Sequence, residues 1–493
     1  MAGHEHVLAI DVGTQSARAA LVDRELRIAD SQAAPLPLFT PRPGWAEQEP
    51  EALWLAVAGS VAGLLERNRD AGVEAVGVGA QMHGVVPVGG DRRPLVDRVG
   101  IWSDKRAAGL VDRFAARPDA TALTALAANQ PLPSWSGFKL AWIREEQPDV
   151  YRRAAAFLVI KDFVNLRLTG VAATDPTEAS GSFLTDAGTQ AWSPELIEAL
   201  GLTRAGLPDL VEPAAVIGGV AAEAAGQTGL RAGTPVVCGA GDMLCQLLAA
   251  GVSGPGRVAE VSGTASIVAA WDERPAADRR VMSLRALPRG WVRFGIADAG
   301  GVGLRWLAGL LGAAGYEELA GPGAGVPPGS RGLVFLPYLL GERTLGSSAS
   351  RASFVGLTPA HGPPELLRAV LEGTCLELRR ALDLIAGGSA AGAVRVTGGG
   401  ASSTLWNRIR ADVYRRPVRP LRSAEGGLLG AALLAGAGAG WFDDVARAAD
   451  DLVPPAEEVA PEPATADLYD REYAEFQALH DLLDARWRSW GRW

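Results

Sequence analysis

Apolar residues run through Val7-Leu8-Ala9-Ile10, give way at Asp11-Val12-Gly13-Thr14-Gln15-Ser16, and resume from Ala17 to Val22. Two apolar runs around a Gly-Thr pair predict two strands joined by a tight turn, with glycine supplying the backbone freedom. The same phrase recurs as Val258-Ala259-Glu260-Val261-Ser262-Gly263-Thr264-Ala265-Ser266, followed by an apolar run from Ile267 to Trp271. After the first hairpin, Ile28 to Ala34 reads as a third strand. A helix follows from about Glu49 to Arg67, with Pro50 in its first turn, where a missing N–H is tolerated. Val73 to Ala80 is the next strand and ends at Gln81-Met82-His83-Gly84. Between about Asp104 and Ala225 the pattern is mostly helical. A buried strand, Pro235 to Ala240, then leads into Gly241-Asp242 and an apolar helix from Met243 to Ala250.

The stretch from Ala250 to Gly256 is linker-like, and the strand order restarts at Arg257. Val394 to Thr397 feeds Gly398-Gly399-Gly400 and a helix from about Ser402 to Tyr414. Glu425 to Ala439 is a helix of small residues, suited to close approach by neighbours. Val453 to Ala464 reads as an exposed connector. The closing helix sets Tyr473, Phe476, Leu479, Leu483 and Trp487 at helical spacing and is expected to dock back. The expected fold class is α/β, a duplication with domains over 1–250 and 257–450 and a docking helix over 465–493.

Bulk properties narrow the function classes. At 493 residues the chain exceeds a single core, and the length prior is roughly two to four domains. A net charge of -9 with no basic cluster argues against a nucleic-acid partner. The three cysteines are scattered and imply no disulfide framework; the five histidines show no metal-ligand spacing. No apolar run reaches the ~18 residues that span a bilayer. Met1 to Val7 lacks the basic and apolar regions of a secretion signal. The expectation is a cytoplasmic protein without a membrane partner.

A Gly-Thr turn presents backbone N–H groups and a hydroxyl, which together can hold phosphate oxygens. Either copy alone reads equally as an ordinary hairpin; the pair suggests two related domains closing on one nucleotide. Asp11, two residues before the first turn, is costly at the end of a buried strand unless a cation compensates it. Beside phosphates that cation would be Mg²⁺; the alternative is a turn or capping aspartate. Asp242, flanked by glycines at a helix start, is either a cap or the base that phosphoryl transfer to an alcohol requires. Gly398 to Gly400 is either a plain loop or a bare surface for a nucleotide, without the Walker or dinucleotide spacing. Gln81, Met82 and His83 end a strand where a sugar could be read, although His83 also fits a core histidine. Trp102 with Asp104 pairs an apolar plate with an acceptor, the combination that binds sugars and also an ordinary core edge.

These segments, in order, resemble the FGGY carbohydrate kinases, and among them those acting on xylulose most closely. The resemblance includes Ile10 to Thr14, Trp45-Ala46-Glu47-Gln48, Gln81 to Gly84, Trp102 to Arg106 and Gly239 to Asp242. It continues through Ser262-Gly263-Thr264, Phe335 to Tyr338 with Gly341 to Thr344, Gly356-Leu357-Thr358, Leu371-Glu372-Gly373 and the glycine triplet. It implies two actin-like (ribonuclease-H-like) domains around an interdomain cleft, with sugar on the first and ATP on the second. By position it implies Asp242 as catalytic base and Asp11 as the acidic residue beside Mg²⁺ and the phosphates. Gln81, Met82, His83, Trp102 and Asp104 would join Asp242 at the sugar. Gly13, Thr14, Gln15, Gly263, Thr264, Gly301, Gly399, Gly400 and Thr404 would contact ATP. The expected reaction is phosphorylation of a pentulose, D-xylulose, by a chain for which a homodimer is compatible. Another ketose or polyol is the alternative acceptor; an actin-like assembly or sensor protein is the alternative class. Three positions depart from the family pattern: Met243 after the base, Leu345-Gly346, and Gln130 to Trp142.

Overall fold

The computed structural model describes residues 5–263, 265–278, 280–298, 300–313, 315–339, 341, 349–385 and 392–490. Thr264 and Leu345-Gly346 lie outside the described residues. The chain divides into two compact units. The first gathers Met1–Ser253, Ser283–Trp291 and Glu425–Val453; the second gathers Gly254–Met282, Val292–Ala424 and Pro454–Trp493.

The sheet of the first unit contains β1 (Glu5–Val12), β2 (Ser16–Val22), β3 (Ile28–Pro35), β4 (Gly72–Ala80), β5 (Val216–Gly219), β6 (Pro235–Val237) and β7 (Ala240–Gly241). The order is β5-β6-β4-β1-β2-β3, with β7 also paired to β4. β1, β2 and β3 form the antiparallel meander that the alternation predicts, and β4 runs parallel to β1. Side chains alternate across this sheet with period two. Leu8, Ile10 and Val12 join Val76, Val78 and Ala80 in one buried core with Trp54 and Val57 of the helix Pro50–Arg67. Asp11, Gly77 and Gly79 therefore face the other way.

That second face is covered by small residues. A Cβ on Gly77 would lie 2.3 Å from the Ala431 carbonyl oxygen, and one on Gly430 would lie 2.1 Å from that of Cys245. The helix Gly426–Gly438 thus seats directly on the sheet and on the helix Asp242–Ala249, an approach that its Gly and Ala residues permit.

In the second unit, β8 (Val258–Ser262) and β9 (Ser266–Asp272) make the second hairpin, and β10 (Val394–Thr397) lies parallel to β8 with β11 (Val418–Pro420) beyond it. A hairpin whose first strand takes a later parallel neighbour is the arrangement of β1, β2 and β4, so the repeat is architectural as well as sequential. The closing helix, Pro463–Trp490, buries Phe476 and Trp487 in this unit's core, as its spacing predicts, together with Tyr469, while Tyr473, Leu479 and Leu483 pack partly buried against it.

Two expectations change. The strand expected over Pro235 to Ala240 is broken at Cys238-Gly239, where Gly239 adopts φ +73 and a Cβ would meet the Val78 carbonyl oxygen at 2.0 Å. The break turns the chain toward Asp242. The connector after Val453 is tied rather than free, because Val418 and Val459 exchange backbone bonds of 2.9 and 2.8 Å.

Candidate active site

Asp11 and Arg18 face each other across the β1–β2 ladder. The Arg18 guanidinium pairs with the Asp11 carboxylate and with Glu425. Burial raises the Asp11 carboxyl from its ordinary range, and Arg18 opposes that shift. The helix Gly426–Gly438 begins at this carboxylate: a Cβ on Gly427 would lie 2.6 Å from Asp11 Oδ2. Glycine is needed there for the turn to come so close, and a helix start favours a neighbouring negative charge.

The first Gly-Thr turn is braced by side chains distant in sequence. Gln48 Nε2 donates to the Thr14 carbonyl at 2.7 Å, Gln81 Nε2 donates to the Gly13 carbonyl at 3.2 Å, and Gln81 also donates to Gln48 Oε1 at 2.6 Å. Trp102 Nε1 donates to Thr14 Oγ1 at 2.9 Å. Gln81 and Trp102 therefore hold the hairpin, while Gln15 is exposed at its tip and its carbonyl accepts from Leu36 N at 2.8 Å. Asp104 accepts from Ala46 N at 2.8 Å and from Arg106 Nε and Nη2, each at 2.8 Å. Arg106 in turn reaches Glu47 at 2.6 Å and lies 3.7 Å from the Trp45 ring centre. Both Asp104 oxygens are thus occupied by protein donors that shape Trp45 to Gln48.

Asp242 opens the helix Asp242–Ala249, and its Oδ1 accepts from Met243 N at 2.7 Å. Burial, then the negative charge of Asp11, push its carboxyl up to about 7. A carboxylate near neutrality in pKa suits proton abstraction from an alcohol. Met82 packs over the preceding residue, its Sδ 2.7 Å from where a Gly241 Cβ would stand. His83 holds φ +69 and meets the Trp135 ring edge-on at 5.0 Å. Gln81, Met82, His83 and Asp242 are therefore assembled in one unit with Asp11.

Beneath Asp242 lies a charged cluster that the motif reading missed. Lys161 Nζ donates to Asp162 at 2.6 Å and to the Cys238 carbonyl at 2.9 Å, and lies 3.2 Å from Asp175. Asn165 Nδ2 donates to the same carbonyl at 2.7 Å. Thr177 donates to Asp175 and its Oγ1 accepts from Gly241 N at 3.3 Å. Lys161, Asn165 and Thr177 thereby fix the turn that aims Asp242. Glu178 is buried with no hydrogen-bond partner for either oxygen among the described residues, and burial raises its carboxyl well above the usual range. The available signal was Lys161-Asp162 inside the apolar run Phe157 to Val164, since charges in such a run must be paired. Lys139 was missed as well. Its ammonium donates to the His83 carbonyl at 3.1 Å and to that of Ser134 at 2.7 Å, and burial pulls its pKa to about 7.

In the second unit Gly301 N donates to the Gly263 carbonyl at 3.1 Å. A Cβ on Gly400 would lie 2.2 Å from Ser262 Oγ, and Gly398 takes φ +87. Arg410 donates to Ser262 Oγ at 2.7 Å and to the Gly400 carbonyl at 3.0 Å, while bridging Glu260 at 2.8 and 2.9 Å. Gly263, Gly301 and Gly400 are thus brought together around Ser262; Gly399 lies in the short turn Gly399–Ser402, and Thr404 starts the helix Thr404–Tyr414.

No group of three His, Cys, Asp or Glu residues among the described residues could cage a metal ion. Asp11 and Asp242 fit a different arrangement, a divalent ion brought mainly by phosphates and water and steadied by one or two carboxylates. Because Asp11's charge helps raise Asp242, Asp11→Asn should move the acid limb of the kcat/KM profile to lower pH, whatever its effect on rate. A limb fixed in position would show that the two carboxylates do not interact.

Residues 6–249 match the model of the FGGY carbohydrate kinase N-terminal domain, and residues 258–439 match that of the C-terminal domain. The Escherichia coli K12 xylulose kinase is 31% identical over 437 residues, covering 87% of this chain and 89% of that protein. Among solved structures, xylulose kinase from Rhodospirillum rubrum is 31% identical with a TM-score of 0.87, covering 98% of this chain and 100% of the other. Gluconate kinase from Lactobacillus acidophilus is 25% identical with a TM-score of 0.92, covering 99% and 100%. No helix among the described residues is long and apolar enough to cross a membrane. With both halves matched in order on a duplicated actin-like fold, the chain belongs to the FGGY family of carbohydrate kinases, phosphotransferases that use ATP, a divalent metal and a sugar.

Proposed function

We propose that this kinase phosphorylates D-xylulose at its 5-hydroxyl, with Mg²⁺ as the divalent ion. The observation that supports the sugar assignment is the packing of Met82, in the Gln81-Met82-His83 segment, over Gly241, the residue before Asp242. The relatives named as xylulose kinases support it. In this reading Met82 and His83 face the sugar chain, and Gln81 and Trp102 act through the Thr14 turn. Asp104 acts through Arg106 and the Trp45–Gln48 segment. Asp242 takes the proton from the attacking hydroxyl. Bound Mg²⁺ would neutralise charge on the transferring phosphate, held in place with help from Asp11. Gly13, Thr14 and Gln15 from residues 1–250, with Gly263, Thr264, Gly301, Gly399, Gly400 and Thr404 from residues 257–450, would contact ATP.

Met243, buried directly after the base, supplies an apolar wall where an amide would offer a hydrogen bond. Sites that bond hydroxyls discriminate by up to about 10⁴-fold against analogues that leave polar groups unpaired. An ADP-release assay across pentuloses, hexuloses, gluconate and glycerol should show D-xylulose accepted and glycerol poor. Met243→Asn should raise kcat/KM for D-xylulose. ADP release with gluconate or another polyol and none with D-xylulose would replace the acceptor while leaving the reaction type in place.

A further inference from the structure

The first unit contains a cavity of about 390 Å³ whose wall includes Thr177, Thr189, Gln190, Glu212, Arg285 and Arg289. None of these residues belongs to the sugar or nucleotide contacts proposed above, and the volume falls in the range of small-molecule sites. Arg285 is the informative member. It is half-buried, its Nε has no hydrogen-bond partner among the described residues, and its guanidinium lies 5.3 Å from the Trp291 ring centre. Its backbone N–H is anchored to Ser180 Oγ at 2.9 Å, so the side chain starts from a fixed point. Burial pulls its pKa down, and Glu212 offsets this only in part. A half-buried guanidinium over an aromatic ring and beside a cavity matches an oxyanion, whose geometry the N–H fork fits in two bonds. Arg289 adds a second guanidinium to the same wall. The Thr189 hydroxyl, the Gln190 amide and the Glu212 carboxylate supply the mixed donors and acceptors that sugar or polyol hydroxyls require.

We propose that this cavity binds the phosphate ester of a small polyol or sugar, with the phosphate on Arg285 and Arg289 and the hydroxyls on Thr189, Gln190 and Glu212. Thr177 belongs both to this wall and to the support of Gly241, so the ligand sits beside a residue that aims Asp242. The test is calorimetric titration of the full chain, saturated with ADP and Mg²⁺, with glycerol 3-phosphate and separately with inorganic phosphate. Saturable binding is expected, with the ester tighter than inorganic phosphate. Arg285→Leu should weaken both about tenfold or more, the loss of a charge-assisted bond, without lowering turnover in the absence of ester. Gln190→Ala should weaken the ester alone, which keeps the test decisive if Arg285→Leu folds poorly. No saturable binding, or ester affinity unchanged in both variants, would overturn the site. Inorganic phosphate binding as tightly as the ester would overturn the polyol assignment.

Discussion

Asp242→Asn is expected to lower kcat for sugar phosphorylation by about 10²- to 10⁴-fold, the contribution of a positioned general base, while ADP binding measured by calorimetry stays near that of the parent chain. Near-normal turnover would remove Asp242 from the role of base. In the unsubstituted protein the acid limb of kcat/KM should lie near the Asp242 value of about 7, because only the ionised carboxylate accepts a proton. The same substitution carries a stability signature of opposite sense. A carboxyl raised from 3.8 to about 7 binds its proton more tightly in the folded state. Its stabilising effect is complete below the unfolded value and is lost as pH rises through about 7. Asparagine does not ionise, so Asp242→Asn should have the higher Tm at pH 8, with the difference shrinking toward pH 4. A residue placed for catalysis at the expense of stability behaves in this way. Equal pH dependence of Tm in the two proteins would show that the carboxylate is well solvated.

Lys161→Met carries the largest expected effect on folding. Lys161 is fully buried between Asp162 and Asp175, which are themselves buried. Removing one partner of such a group typically costs about 3–5 kcal/mol, because the remaining charges are left uncompensated. Burial already pushes the Asp162 carboxyl up to about 6 despite Lys161, and without the ammonium it would rise further. The destabilisation, read from urea unfolding, should therefore be largest above neutrality and smaller as pH falls and Asp162 takes up its proton. Turnover should fall as well, since Lys161 holds the Cys238 carbonyl just before the turn that aims Asp242. A loss below about 1 kcal/mol at pH 8 would mean that water reaches the cluster, as it does for exposed ion pairs.

Local pattern alone determined a good part of this protein. The apolar runs around Gly13 and Gly263 specified both hairpins, since alternation and turn chemistry act over a few residues. Pro50 marked the start of its helix, and the spacing of Phe476 and Trp487 identified the buried side of the last one. The abundance of Gly and Ala from Glu425 to Ala439 announced close packing, but not against what. The sheet supplied that answer, setting Gly77 against Ala431 and Gly427 against Asp11. Contacts with partners far along the chain were decided only by tertiary structure. Gln81 and Trp102 have the chemistry of sugar ligands, yet their hydrogen bonds run to a turn more than sixty residues away. Asp104 is an acceptor by type, and Arg106 and Ala46 occupy it. The elevation of Asp242 depends on burial and on Asp11 across the sheet, which no motif records. Periodicity reports which face of an element is buried; hydrogen bonds and desolvation depend on which atoms arrive at that face, and only the folded chain brings them there.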